Sequence, residues 1–200
     1  MKFFAHAINT IEDLKTLDRK LGVEIDVRDN DGRLVLGHDP LSSNYQDLEE
    51  YLKFIEGRSI IANIKSERIE MAFLDMLLKY SPSSEYFFLD SSFSMIANNG
   101  KNLNFASRFS EYESLDTSIS LIKNSLVNWI WIDTFSTFPI NLNNVEIFNS
   151  LKAKKCLTSP DLTGRPYEIE NYSKQINSIG VKFDAICCKR KNIKKWLSLI

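Results

Sequence analysis

Residues 2–27 read KFFAHAINTIEDLKTLDRKLGVEIDV, and this stretch carries the grammar of the whole chain. Lys2-Phe3-Phe4-Ala5 is a short apolar run of strand length. Thr10 stands as a helix N-cap with Asp13 three residues on, and Ile11, Leu14, Leu17 and Leu21 recur at helical spacing. Val23 to Val27 then alternates apolar and acidic residues with the period of a strand. The reading is strand, helix, strand. Further apolar runs follow at Ser59 to Ile64, Tyr86 to Leu89, Leu103 to Ala106, Asn128 to Ile132, Lys155 to Thr158 and Phe183 to Cys187, with helical spacing between most of them. Eight strands in 200 residues leave about 25 residues per repeat, which predicts a single-domain (β/α)8 TIM barrel of lean build over residues 1–200. A doubly wound open sheet has the same periodicity, but no Gly-rich phosphate fingerprint follows the first strand.

The bulk properties narrow the class. With 25 Lys and Arg against 26 Asp and Glu, the chain as a whole has no long-range attraction to polyanions, which argues against a nucleic-acid binder. A composition of 44% hydrophobic and 26% charged residues, with 7 Gly and 5 Pro, is that of a folded globular chain and excludes collagen-like and disordered classes. Three cysteines, two of them the adjacent Cys187 and Cys188, cannot form a disulfide framework and point to a reduced compartment. His6 and Asn9 interrupt the first apolar run too early for a signal peptide. No apolar stretch approaches the roughly 20 residues of a membrane span, so a cytoplasmic chain without a membrane anchor is expected.

A barrel builds its site at the C-terminal ends of its strands, so the residues that follow each run are the ones to read. Glu24 and Asp26 stand two apart, with side chains on the same face of their strand. Either that face is solvated, or two carboxylates crowd a covered rim and require a cation or a raised pKa. His6 and His38, the only two histidines, each follow an apolar run and bracket the acidic pair, an arrangement suited to acid/base work near neutrality. The turn Asn30-Asp31-Gly32 is a hairpin signal that would fold His38-Asp39 back toward Glu24 and Asp26. Asp90, Asp133 and Asp161 follow later runs and read equally as helix caps. Trp129, Trp131, Phe135 and Phe138 read as core. The tail Lys189-Arg190-Lys191 with Lys194 and Lys195 reads as a solvated helix face.

Four segments together resemble the superfamily of glycerophosphodiester phosphodiesterases and phosphatidylinositol-specific phospholipase C barrels. They are Ala5-His6-Ala7-Ile8-Asn9-Thr10, Gly22-Val23-Glu24-Ile25-Asp26-Val27, Asp31-Gly32 leading to His38-Asp39, and Asn63-Ile64-Lys65. The resemblance covers residues 5 to 65 and implies a barrel that cleaves a small-molecule phosphodiester. It also implies His6 and His38 as the acid/base pair, Lys65 facing the phosphate, and Glu24, Asp26 and Asn63 as ligands of Mg²⁺ or Ca²⁺. The family also has metal-free members. This chain departs from the pattern at Asn63, where the family carries a third acid, and at Ala7, where it usually carries an arginine. Arg108, Arg165 and Lys189, at later strand ends, are the candidates to take over the phosphate contact. Two other readings stay open: a barrel that binds a phosphorylated or glycosyl ligand without turnover, and a Mg²⁺-assisted proton abstraction with Lys65 or a histidine as base.

Overall fold

In the computed structural model, which describes every residue except Glu56, Lys2–Ala5 forms the first strand, β1, with Phe3, Phe4 and Ala5 buried. The chain divides into two compact units, Phe4–Asn98 on one side and Met1–Phe3 with Asn99–Ile200 on the other, and the boundary runs through β1.

In the unit Phe4–Asn98, β1 is followed by α1 (Ile11–Lys15), β2 (Gly22–Asn30), β3 (Arg33–Leu36), β4 (Gln46–Asp47), α2 (Leu48–Leu52), β5 (Ile60–Ile64), α3 (Glu70–Tyr80), β6 (Tyr86–Leu89) and α4 (Phe93–Asn99). Strands β1, β2, β5 and β6 pair in parallel, while β3 and β4 extend β2 as an antiparallel arm. Thr10 caps α1 as its spacing predicts, its hydroxyl accepting the Asp13 amide at 3.1 Å. The helix is shorter than Leu17 and Leu21 suggested, because Thr16 turns its own hydroxyl back onto the carbonyls of Glu12 and Asp13. Every residue from Gly22 to Val27 is buried, as is all of β5. A parallel strand covered on both faces cannot expose one side to water. The solvated reading of Glu24 and Asp26 is therefore excluded. Phe4 packs edge-on against Phe87 with centroids 6.2 Å apart, and a side chain at Gly22 would meet the Phe4 ring at 2.5 Å. At the hairpin, Asp31 and Gly32 both take positive φ, 49° and 76°, the pair of values a two-residue turn of matching twist requires. Asn30 then faces Arg33 and Val27 faces Leu36.

The unit Asn99–Ile200 contains β7 (Ala106–Phe109), α5 (Leu115–Lys123), β8 (Trp129–Ile132), α6 (Val145–Ser150), β9 (Lys154–Thr158), α7 (Ile169–Ile179), β10 (Ala185–Cys188) and α8 (Ile193–Leu197). Its four strands pair in parallel in the order β7-β8-β9-β10. Within this unit the Lys2 amide donates to the Asp184 carbonyl at 2.8 Å. All eight predicted strands are present, but one is displaced: Leu103 to Ala106 gives way to Ala106–Phe109. Ser107 enters the sheet because its hydroxyl is satisfied internally, donating to Ser118 at 2.9 Å. Trp129 and Trp131 belong to the core as expected, and Phe138 packs edge-on against Tyr172 and Phe183, whereas Phe135 lies exposed. The three cysteines are buried and form no disulfide among the described residues. Among the described residues no helix is long and apolar enough to cross a membrane.

The architecture is thus a mixed α/β fold of parallel strands joined by helical crossovers, with an antiparallel arm carrying His38.

Candidate active site at the end of β2

The site lies in the unit Phe4–Asn98 and is built around two carboxylates that the sheet forces out of water. Glu24 and Asp26 are essentially inaccessible, at 0% and 1%. Burial is the chief reason the Glu24 carboxyl is pushed above the ordinary glutamate range. The Asp26 charge adds to this, while His6, the Ala7 amide and the Asn63 side chain oppose it.

The segment that leaves β1 supplies much of the compensation. Ala7 adopts a left-handed φ of 55°, which aims its N–H at Glu24 Oε2, 2.7 Å away, while the Ile8 amide donates to the Glu24 carbonyl at 2.9 Å. Asn9 clamps Asp26 in both directions. Its Nδ2 donates to Asp26 Oδ2, and its Oδ1 accepts the Asp26 amide, both at 2.8 Å. The buried Tyr51 hydroxyl donates to the Ile8 carbonyl at 2.8 Å and pins the segment from α2. His6 is thereby held with Nε2 3.7 Å from Glu24 Oε2, its ring about one-third exposed.

From β5, in register with β2, Asn63 lies opposite Asp26 and donates its Nδ2 to Glu24 Oε1 at 2.9 Å. The next inward residue is Lys65, whose Nζ sits 3.4 Å from Asp26 Oδ1 and 3.8 Å from Asp90 Oδ2. Asp90 closes β6 at a left-handed φ of 62°. His6, Glu24, Asp26, Asn63, Lys65 and Asp90 therefore form one linked cluster at the C-terminal ends of four parallel strands.

His38 arrives from the antiparallel arm. The Gly37 amide donates to the Asp26 carbonyl at 2.9 Å, so the hairpin delivers His38 one residue beyond the position registered to Asp26. Its ring is 66% exposed, and Nδ1 is hydrogen-bonded to Asp39 Oδ1 at 2.9 Å, which leaves Nε2 toward solvent. Arg28 Nη1 donates to the His38 carbonyl at 3.1 Å, bracing the arm from β2.

Where a divalent cation would sit follows from the lone pairs left over. Asp26 Oδ1 and Asn63 Oδ1 are buried and make no hydrogen bond; Lys65 approaches the former at ion-pair distance without hydrogen-bond alignment. Both are hard oxygens of the kind Mg²⁺ and Ca²⁺ take, and with Glu24 they fit such an ion. No group of three His, Cys, Asp or Glu that could hold a metal occurs among the described residues, so a cation here would need the uncharged Asn63 as its third donor.

Arg108, Arg165 and Lys189 lie in the other unit. Arg108 pairs with Asp133. Arg165 donates to the carbonyls of Thr134 and Ser136 and pairs with Glu168. The Lys189 amide donates to Asp161 Oδ2 at 3.1 Å. Sequence reasoning passed over Asn9, the Ala7 amide and Tyr51, and gave Asp90 a capping role. Asn9 carried a legible signal, a carboxamide in the short link after β1; the backbone amide and the tyrosine from a distant helix carried none.

These features define an α/β protein with a histidine, carboxylates and a lysine gathered at its strand ends. Among solved structures, the fold matches the "putative glycerophosphoryl diester phosphodiesterase" of Agrobacterium tumefaciens with a TM-score of 0.68, over 98% of this chain and 96% of that one. At 11% identity the likeness is one of fold. Neither a family model nor a curated protein matches the sequence.

Proposed function

We propose that this chain is a phosphodiester hydrolase built on a (β/α)8 barrel, acting on a small-molecule phosphodiester. The observation that carries the reading is the linked cluster of His6, Glu24, Asp26 and Lys65, residues scattered over sixty positions and brought to one strand edge. The fold likeness to a protein bearing a phosphodiesterase name supports it.

In this reading the Lys65 ammonium, held between Asp26 and Asp90, faces the phosphate and offsets the charge that gathers on its non-bridging oxygens. His6, steadied by Glu24, and His38, oriented through Nδ1 by Asp39, exchange the protons: one imidazole removes a proton from the attacking oxygen, that of water where the substrate has no neighbouring hydroxyl, and the other delivers one to the leaving alcohol oxygen. The exposed Nε2 of His38 suits the partner that meets a substrate arriving from solvent. A cation held by Asp26, Asn63 and Glu24 would add Lewis-acid stabilisation of the phosphoryl oxygens.

Hydrolysis of a generic aryl phosphodiester tests the proposal. His6→Ala and His38→Ala each lower the rate by ~10²- to 10⁴-fold, the range for loss of a general acid or base. Equal rates in wild type and both variants, with and without chelator, overturn it. The weaker alternative, ligand binding without turnover, is favoured instead by thermal stabilisation with a phosphorylated ligand that survives loss of both histidines.

A further inference from the structure

Glu24 and Asp26 are not the last residues of β2 on the face that carries the site. Side chains alternate along a strand, so Arg28 stands on the same face, two residues and about 7 Å further toward the rim. The alternation is unbroken there, because Val27, Arg28, Asp29 and Asn30 pair one-to-one with Leu36, Val35, Leu34 and Arg33. The guanidinium is held against the arm that carries His38. Its Nη1 donates to the His38 carbonyl at 3.1 Å, and its central carbon lies 5.8 Å from the centre of the Tyr45 ring, within cation–π range. Tyr45 is itself fixed, since its hydroxyl donates to the Asp39 carbonyl at 2.9 Å and accepts the Ser42 amide at 3.0 Å. The ring presses so closely on Gly37 that a side chain there would meet it at 2.5 Å.

What sets Arg28 apart from Lys65 is that its charge is unanswered. Lys65 is shared between Asp26 and Asp90. The acids of the arm are engaged or turned away from Arg28: Asp39 binds His38 Nδ1, Asp47 accepts the Glu50 amide, Asp31 sits at the turn, and Asp29 lies on the opposite face of β2. Arg28 forms no ion pair among the described residues, and of its five N–H groups only one finds a hydrogen-bond acceptor there. A fork of donors oriented by a carbonyl and a ring, with no protein anion to meet, is suited to capture a carboxylate or phosphate from a ligand. Lys65 already faces the reacting phosphate at the level of Asp26. Arg28 therefore meets the part of a substrate on the His38 side, one group further out.

We propose that Arg28, backed by Tyr45, forms a subsite for a second anionic group, carried by one of the two alcohols of the diester. The inference rests on the phosphodiesterase reading and narrows it to substrates with a carboxylate or a further phosphate on the arm nearest His38. A neutral alcohol leaves the guanidinium without a partner.

Calorimetric binding of analogues of the cleavage product tests this without turnover. Propyl phosphate, 2-carboxyethyl phosphate and 1,3-propanediol bisphosphate share one phosphate and differ only at the far end. Wild type is expected to bind the second and third ~10- to 100-fold more tightly than the first, the range for hydrogen bonds to a charged group. Whichever of the two binds more tightly names the anion. Arg28→Gln should abolish the discrimination, whereas Arg33→Gln, which removes the same charge from the hairpin tip, should keep it. Propyl phosphate is the internal control, because a merely structural disturbance of the arm weakens all three ligands alike. The subsite is overturned by equal affinities in wild type, by discrimination that survives Arg28→Gln or disappears equally in Arg33→Gln, or by a uniform loss across the ligands in Arg28→Gln. Any of these with diester hydrolysis intact removes the subsite alone; absence of both hydrolysis and binding removes the phosphodiesterase reading with it.

Discussion

Glu24 concentrates the energetic tension of the site in a single residue. A carboxyl whose native pKa is raised binds more protons folded than unfolded at any pH between its ordinary value and its native one. Stability attributable to Glu24 therefore falls as pH rises through that window, and the full cost of holding a buried charge remains above it. Glu24→Gln keeps the shape and removes the charge. Asn63 can turn over to accept from the new amide, since its Oδ1 has no hydrogen-bond partner now. The variant is expected to be more stable than wild type at neutral pH and to lose the decline above the ordinary glutamate range, read from urea midpoints across a pH series with chelator present. A steeper decline contradicts the assignment. Asn63→Asp makes the opposite change. It breaks the bond to Glu24 and sets a third carboxylate against two, at a cost of about 1–3 kcal/mol without metal. Mg²⁺ or Ca²⁺ should then raise its melting temperature more than that of wild type.

At the scale of elements, the β2–β3 hairpin does the work of bringing His38 to the strand ends. Its turn is legible in Asn30-Asp31-Gly32, and the structure realises it with two left-handed residues. A side chain at Gly32 meets nothing within 4 Å, so Gly32→Ala tests the backbone alone. It should cost ~1 kcal/mol in unfolding free energy, the penalty for φ above zero without glycine. Activity toward an aryl diester should fall with it if the arm positions His38, and stay unchanged if it does not. Elements whose interiors are apolar were read correctly from periodicity. The displaced strand is β7, where Ser107 reads as a strand end until Ser118 is seen to satisfy its hydroxyl.

Over the whole molecule, β1 stands out because it contributes to both units. Lys2 binds Asp184 in one, while Phe4 and Ala5 face Gly22 and Val23 in the other. Removing residues 1–5 should therefore disturb both. All three tryptophans, Trp129, Trp131 and Trp196, are buried in the unit Asn99–Ile200, so their emission reads that unit. The truncated chain is expected to show red-shifted emission and a lower urea midpoint, and to lose diester hydrolysis, whose residues belong to the unit Phe4–Asn98. Unchanged emission would confine the strand's influence to the second of these.

The alternation of apolar runs and helical spacing determined the parallel α/β architecture, because burial on both faces writes itself into consecutive residues. The order His, acid pair, hairpin, His, lysine was equally legible, being set by residues close to strand ends. Tertiary structure alone decided that Glu24 and Asp26 are sealed from water and which groups answer their charge. The Ala7 amide and Asn9 come from the link after β1, Tyr51 from α2 and Asp90 from the end of β6, and whether they meet the acid pair depends on how the strands register in space. A one-dimensional pattern records which side chains must be hidden; it holds no record of which distant partner makes hiding them tolerable.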